Sequence, residues 1–342
     1  MLNVYSGLPE GFLAAKASDL QQLLGGPSLI EIVGRREPPL FVSILLHGNE
    51  TTGLDALQLI FNKYRERELP RTILLFVGNV AAARRGLRKL PEQPDMNRVW
   101  PGTALPDSPE KRLAAEVIAR VKSRGCFAAI DIHNNTGLNP HYGCVNKLDG
   151  PYLQLAALFS RTVVYFTRPH GVLSLAMAKL CPATTIECGQ AGSPGAAEHA
   201  AELVDAALHL ATIQEHPPRE IDIYHTVGAV RVPSHHSFGF GGEREVDLHL
   251  TSDLELYNFR DLPAGTLFAW TDPARGAFFS VEDNEGREAA ADFFVRDGDS
   301  IRLRRPAMPA MLAVNEKAIR DDVLCYLMER LPHPYDASKD SA

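Results

Sequence analysis

The stretch FVSILLHGNETTGLDALQLIFNKYRERE (residues 41–68) contains, in order, an apolar run, a short polar turn and an amphipathic segment. The run at residues 41–46 is typical of a strand that is buried on both faces. Beyond the turn, apolar side chains recur at helical spacing and predict a helix over residues 53–68; they are Leu54, Leu57, Ile60 and Phe61. This order of strand, turn and helix indicates an α/β fold.

The same alternation continues through the first two thirds of the chain. Ser108 and Pro109 form a typical helix start, with serine as the N-cap and proline at the first helical position. Further strands are predicted at residues 72–77, 126–132, 162–166 and 183–186, and further helices at residues 150–160, 172–179 and 195–212. Apolar strands separated by helices predict a mostly parallel or mixed sheet with helices on both faces.

The pattern changes after Pro217-Pro218. From there to about residue 305, short alternating segments are separated by glycine and proline, which is typical of a β-rich module. We therefore predict an α/β domain at residues 1–216 and a smaller β-rich C-terminal domain at residues 217–330.

The composition argues against several classes of protein. The chain has 342 residues, 45% of them hydrophobic, and a formal net charge of −7. Lysine and arginine are scattered, so we expect no nucleic-acid partner. No apolar run approaches the ~18 residues of a membrane span, so we expect no membrane partner.

The start of the chain lacks a signal-peptide pattern, and the five cysteines include no CxxC pair. Both features favour a reducing cytoplasm. The oligomeric state stays open, a homo-oligomer included.

The first candidate site follows the strand at residues 41–46. The motif HGNE (residues 47–50) places His47 and Glu50 three residues apart, so both can bind one ion if the chain turns into a helix there. Gly48 permits that turn, and one of the two following threonines is the predicted N-cap. An HxxE pair alone is a weak signal, because many such pairs are solvated surface residues. Its place at the carboxyl end of a buried strand strengthens it, since open α/β sheets bind ligands there.

Two further predicted strands end in side chains of the same kind. His133 completes a set of two histidines and one glutamate, which binds catalytic zinc and leaves a position open for water. Asp131 is placed to hold either the second ring nitrogen of His133 or the backbone nearby. Glu187 ends the strand at residues 183–186, where a carboxylate can take a proton from water and pass it to a leaving amine. Taken singly, these residues are equally consistent with turn, loop or salt-bridged positions.

The loop at residues 79–102 is long and rich in arginine. Long loops within a compact domain are more often functional than idle. Asn97-Arg98 offers an amide and a guanidinium, which suit a carboxylate held at two points. Arg84, Arg85 and Arg88 are candidates to stabilise a developing oxyanion, although each arginine taken singly is more typical of a solvated side chain.

These motifs occur together in one known family. HGNE, GxR (residues 86–88), DMNR (95–98), DIHNNTG (131–137) and IECG (186–189) follow one another in that order. The pattern resembles the succinylglutamate desuccinylase/aspartoacylase branch of the zinc metallocarboxypeptidase superfamily. Similarity in the β-rich module and in MLAVNEKA near the end extends the resemblance over nearly the whole chain. It implies a carboxypeptidase-like α/β domain followed by a β-rich domain that partly covers the site.

The resemblance also implies an activity and a role for each matching residue. The implied activity is zinc-dependent hydrolysis of the amide bond of an N-acyl amino acid, a small substrate that bears a carboxylate. The matching residues are His47, Glu50 and His133 for the ligands of one Zn²⁺, Glu187 for the general base, Arg88 for the arginine that polarises the scissile carbonyl, and Asn97 and Arg98 for the substrate carboxylate.

Two departures from the family pattern limit the substrate prediction. Aspartoacylases carry an arginine ten residues before the base, where this chain has Met177. They also place a tyrosine after the VNE motif, where it has Ile319 and Arg320. We therefore do not expect an N-acetylaspartate hydrolase. Two alternatives stay open, namely a metallocarboxypeptidase that acts on peptides and a non-catalytic zinc or ligand-binding homologue.

Three other polar or reactive residues receive structural interpretations. Cys188, next to Glu187, is interpreted as a small buried strand residue rather than a nucleophile. His235 is interpreted as a surface residue of the β-rich module. For His141, two interpretations are equally favoured: it lies at the edge of the pocket, or it has a purely structural role.

Overall fold

The structure is a computed structural model that describes residues 1–242 and 245–333. The chain divides into two compact units. The first comprises Met1–Asn134 and His141–Ile223, with residues 332–333, and the second comprises Asn135–Pro140 and Tyr224–Leu331. The chain therefore enters the second unit briefly after Asn134 and again at Tyr224, and the domain ranges of 1–216 and 217–330 stay a prediction.

The first unit contains a mixed β-sheet. Its strands are β1 (Asn3–Ser6), β2 (Ser28–Ile32), β3 (Leu40–Ile44), β4 (Ile73–Val77), β5 (Ala128–His133), β6 (Tyr142–Val145), β7 (Thr162–Tyr165) and β8 (Ala183–Glu187). They lie in the order β1-β2-β4-β3-β5-β8-β6-β7. Only the β2–β4 and β6–β8 pairs in this order are antiparallel. The predicted α/β class with a mostly parallel sheet is confirmed.

Helices connect most of these strands. They are α1 (Leu20–Leu24), α2 (Thr52–Lys63), α3 (Val80–Ala83), α4 (Pro109–Arg124), α5 (Gly150–Ala157), α6 (Leu173–Met177) and α7 (Ala196–His209). The predicted cap of α4 is present, because Ser108 Oγ accepts a hydrogen bond from the Lys111 N–H at 3.1 Å. Among the described helices, none has the length and apolar character needed to cross a membrane.

The central strands β3 and β4 lie within the hydrophobic core of the first unit. All five residues of β3 and all five of β4 are buried. The apolar face of α2, with Leu54, Leu57 and Ile60, packs into the same core as Leu203 and Val204 of α7. Because β3, β5 and β8 are adjacent and parallel, their carboxyl ends meet at one edge of the sheet. His47, His133 and Glu187 all lie at this edge.

The second unit is β-rich, as the sequence predicts. Its elements are β9 (Asp222–Arg231), β10 (Phe238–Phe240), β11 (Leu248–Leu250), β12 (Leu267–Trp270), β13 (Ser280–Glu282), α8 (Ala290–Phe293), β14 (Phe294–Asp297), β15 (Ser300–Leu303), β16 (Met308–Ala310), α9 (Glu316–Asp321) and β17 (Cys325–Arg330). One sheet has the order β10-β11-β12-β15-β14. In addition, β9 pairs with β13 and β17, and β17 pairs with β16.

Candidate metal centre and hydrolytic site

The HGNE turn is held tightly at the end of β3. Leu45, fully buried, has a φ of 56°, so the backbone is in the left-handed region just before His47. A Cβ on Gly48 would lie 2.1 Å from the Ala83 amide nitrogen. Glycine is therefore required here because the turn packs directly against α3. The sequence indicates Gly48 as the residue that permits the turn. The structure shows that glycine is needed because the turn approaches the Ala83 backbone too closely for a Cβ.

Three predicted metal ligands converge in the structure. His47 Nδ1 lies 2.7 Å from Glu50 Oε1, and His133 Nδ1 lies 2.8 Å from Glu50 Oε2. One ligand atom from each of the three residues lies within 4.8 Å of the other two. All three side chains are buried. Both histidines thus direct the same nitrogen, Nδ1, toward one carboxylate.

The outer ring nitrogen of each histidine faces an aspartate. His133 Nε2 lies 2.9 Å from Asp131 Oδ2, the arrangement that the sequence predicts. His47 Nε2 lies 3.0 Å from Asp95 Oδ1. Carboxylates in this position fix the ring orientation of a metal-binding histidine and make the inner nitrogen more basic. The sequence assigned no role to Asp95, although it is the first residue of the DMNR motif.

Asn134 links the candidate ligand Glu50 to the start of α2. Its backbone N–H donates to Glu50 Oε2 at 3.1 Å, and its side-chain Oδ1 accepts from the Thr52 N–H at 3.3 Å. Its Nδ2 donates to Thr52 Oγ1 at 2.9 Å. The N-cap residue of α2 is Thr51, whose side chain makes no capping bond. The cap predicted from a threonine is therefore supplied by an asparagine that follows β5.

The charges of the site suit a divalent cation. Burial raises the pKa of Glu50, but the two imidazoles outweigh this and hold it well below its ordinary value. Burial lowers the pKa of His133, but Asp131 and Glu50 outweigh this and hold it well above its ordinary value. The buried carboxylates therefore stabilise positive charge next to the two histidines. A divalent cation bound at both Nδ1 atoms would supply that charge. Two histidines and one glutamate are an ordinary donor set for Zn²⁺, so the residues present fit this metal.

Glu187 lies beside the ligand set at the end of β8. In the parallel pairing of β5 and β8, Glu187 is the register partner of His133. Its side chain is buried, and burial raises its pKa from 4.5 to about 7, against the lowering effect of His133. A carboxyl group with this pKa can accept and release a proton near neutral pH.

Arg88 also lies at the ligand set. Its Nη1 lies 3.3 Å from Glu50 Oε1, while its Nη2 and Nε lie 3.0 and 3.1 Å from Asp95 Oδ2. By contrast, Arg84 and Arg85 are exposed to solvent. Of the three arginines considered from sequence, the structure brings only Arg88 to the candidate ligands.

Asn97 and Arg98 are held in the same loop. Asn97 Oδ1 accepts from the Leu173 N–H at 2.9 Å, and its Nδ2 lies 3.4 Å from His133 Nε2. Arg98 Nη1 donates to the Asn97 carbonyl oxygen at 2.9 Å. Asn97 therefore fixes the start of α6 next to His133, and both side chains are partly exposed.

The two departures from the family pattern lie in packed positions. Met177 is fully buried at the end of α6. In the second unit, Ile319 is 5% exposed within the hydrophobic core. The neighbouring Arg320 stacks over the Phe238 ring at 4.4 Å and donates to the His236 carbonyl oxygen at 2.6 Å.

The three remaining residues occupy different environments. Cys188 is fully buried, and burial raises the pKa of its thiol well above the usual range, which disfavours a nucleophile. His141 Nδ1 lies 2.7 Å from His199 Nδ1, and both rings stack with Phe159. His235 is exposed.

Comparisons with known proteins place the chain in a family. Succinylglutamate desuccinylases from Vibrio parahaemolyticus (TM-score 0.59, 14% identity, 89% of this chain and 86% of that chain covered) and Chromobacterium violaceum (0.56, 16%, 88% and 87%) have a similar fold. Murine aminoacylase 3 is also similar (0.52, 16%, 87% and 97%). No curated protein sequence matched. Residues 37–211, just over half of the 342 residues, match the succinylglutamate desuccinylase/aspartoacylase catalytic domain, so the chain belongs to that family.

Proposed function

We propose that this protein is a zinc-dependent amidohydrolase that cleaves the amide bond of an N-acyl amino acid. One observation carries the proposal: His47 Nδ1 and His133 Nδ1 converge on Glu50, while Glu187 is buried beside His133. Family membership supports an acyl-amide substrate, since the family's name and the similar structures are those of desuccinylases and acylases.

The proposed metal is one Zn²⁺ per chain, held by His47, Glu50 and His133. A zinc ion bound there would act as a Lewis acid and lower the pKa of water. Glu187 is the proposed general base, which takes a proton from the attacking water and delivers it to the departing amine. Its pKa near 7 suits both transfers, because a group that must both accept and donate works best near the operating pH.

Arg88, Asn97 and Arg98 are proposed to act on the substrate. The Arg88 guanidinium, oriented by Glu50 and Asp95, would stabilise the negative charge that develops on the scissile carbonyl oxygen. Arg98 and Asn97 would bind the substrate carboxylate, because a guanidinium and an amide together offer several donors in a planar arrangement. The carboxylate would then fix the acyl-amide bond near Glu187.

Metal content is the first test. The protein is purified without added metal or a histidine tag, and zinc is measured by mass spectrometry. We expect about one zinc per chain in the wild type and in His216→Ala, whose histidine is exposed. We expect none in His47→Ala. A wild-type protein that contains no metal and takes up no added zinc would contradict the proposal.

The substrate is tested with a panel of N-succinyl and N-acetyl amino acids, dipeptides and longer peptides. We expect hydrolysis of N-acyl amino acids and near-complete loss of turnover in Glu187→Gln, with zinc retained. Glu202→Gln, an exposed change on α7, is the matched control. Hydrolysis of peptides alone would indicate a carboxypeptidase, and zinc without turnover on the whole panel would indicate a non-catalytic homologue. More than about a tenth of wild-type activity in Glu187→Gln would refute the base assignment.

A further inference from the structure

Two cysteines lie at the edge of the sheet opposite the metal centre. Cys126 shortly precedes β5 and Cys181 shortly precedes β8, and these strands are parallel neighbours. The Ala129 N–H donates to the Pro182 carbonyl oxygen at 2.9 Å, so the two segments enter the sheet side by side. There the Cys126 Sγ donates to the Ala128 carbonyl oxygen at 3.0 Å, and the Cys181 thiol lies close enough to interact with the Cys126 sulfur. Both sulfurs are free thiols.

The surroundings of the two sulfurs differ. The interaction with Cys181 lowers the pKa of the Cys126 thiol and outweighs its burial, and the backbone of Phe41 and the charge of Arg71 lower it further. The same contact raises the pKa of Cys181. Cys126 is half-buried, whereas Cys181 is 6% exposed. Cys126 is thus the more exposed residue and the one whose thiol is better able to exist as a thiolate.

Arg71 is a buried cation whose charge acts on Cys126. It is 2% exposed, and its Nη1 and Nη2 donate to the carbonyl oxygens of Pro38 and Leu210 at 2.7 and 2.9 Å. Its guanidinium lies 3.7 Å from the centre of the Phe127 ring, and within the described residues its buried Nε has no hydrogen-bond partner. Buried cations are stabilised by a nearby counter-charge. The Glu37 carboxylate is the larger counter-charge to Arg71, and a Cys126 thiolate would add to it.

We propose that Cys126 and Cys181 form a redox-sensitive pair that hydrogen peroxide converts into an intramolecular disulfide. The Cys126 thiolate attacks one peroxide oxygen, which gives a Cys126 sulfenic acid and hydroxide. The Cys181 sulfur then attacks the sulfenic sulfur, and water leaves with the Cys181 proton. Two electrons pass from the two sulfurs to the peroxide, and one disulfide bond forms. The pair lies outside the proposed zinc site, so this inference does not depend on the proposed function.

The remaining thiols are poor competitors. Cys144, Cys188 and Cys325 are buried, and burial raises the pKa of each thiol. Thiols of this kind react slowly with peroxide because the thiolate is the nucleophile. Peroxide is therefore expected to oxidise Cys126 first, and the resulting sulfenic acid to react with Cys181.

The test treats the folded, full-length protein with a modest excess of hydrogen peroxide and then blocks free thiols by alkylation. We expect the intact mass to fall by two hydrogen atoms per chain before alkylation, and peptide mapping to find Cys126 joined to Cys181. In Cys181→Ser, we expect dimedone to trap a sulfenic acid at Cys126. Cys325→Ser is the matched control, in which the disulfide forms as in the wild type.

Three outcomes would overturn the proposal, and the first two are read on the wild type. One is a disulfide that joins other cysteines. Another is a wild-type mass that stays unchanged while the urea-unfolded chain is oxidised by the same treatment. The third is a folded Cys126→Ser variant, verified by circular dichroism, that is oxidised at Cys181 as fast as the wild type.

Discussion

Replacing Glu187 with glutamine is expected to change how stability depends on pH. Burial raises the pKa of the Glu187 carboxyl from 4.5 to about 7. At low pH it is protonated in the folded and the unfolded chain alike. As the pH rises from 4.5 to 7, the unfolded chain releases a proton that the folded chain keeps, so stability falls. At ~1.36 kcal/mol per pKa unit, the full loss is roughly 3 kcal/mol. Glutamine carries no such proton, so the variant avoids this loss.

The free energy of unfolding is measured by urea titration of metal-free wild type and Glu187→Gln, at about pH 5 and about pH 8. Between these values, we expect the stability of the variant relative to the wild type to increase by about 2.5 kcal/mol. The exposed change Glu202→Gln should show no comparable trend. If the difference between Glu187→Gln and the wild type is the same at both pH values, the carboxyl is not perturbed in the way that its burial implies.

Three further changes test the surroundings of the site. Arg88→Ala should lower kcat by ~10²–10³, measured with the best substrate of the panel, while the exposed Arg84→Ala leaves it unchanged. Asp95→Asn should weaken zinc binding by ~10–100-fold in a competition titration with a chelator, because His47 loses its outer carboxylate; equal affinity would contradict this role. Gly48→Ala should lower stability to urea by ~1–3 kcal/mol because the added Cβ meets the Ala83 backbone, and an unchanged unfolding midpoint would show that α3 moves aside.

The strands that carry the site could be predicted because they are apolar along their whole length. The predictions at residues 41–46, 72–77 and 183–186 correspond to β3, β4 and β8 within a few residues. By contrast, β6 (Tyr142–Val145) was missed, because it is short and contains a glycine and a cysteine rather than a β-branched run. A strand this short leaves only a weak periodic signal, even though β6 lies inside the sheet between β8 and β7.

The end of α2 shows why helix boundaries are harder to predict than helices. The prediction extended to residue 68, but α2 ends at Lys63, and Tyr64 is its C-cap. Residues 65–68 are charged and exposed, so they bury no apolar face that would favour continuing the helix. Charged residues have good intrinsic helix propensity, yet packing supplies most of the stability of a helix in a protein.

Within the site, sequence distance separates what could be predicted from what could not. The sequence offered Asp131 as a partner of His133 or of the nearby backbone, since both residues end the same predicted strand. In the structure its Oδ2 lies 2.9 Å from His133 Nε2, because residues two apart on β5 point to the same side of the sheet. Asp95 reaches His47 across 48 residues, and only the folded path of the loop at residues 79–102 sets this contact. Within that loop, the Asp95 carboxylate also accepts bonds from the Asn97 N–H and from Arg88. The Asp95 carboxylate thus contacts His47, Arg88 and the Asn97 backbone together, and no short-range pattern in the sequence indicates that convergence.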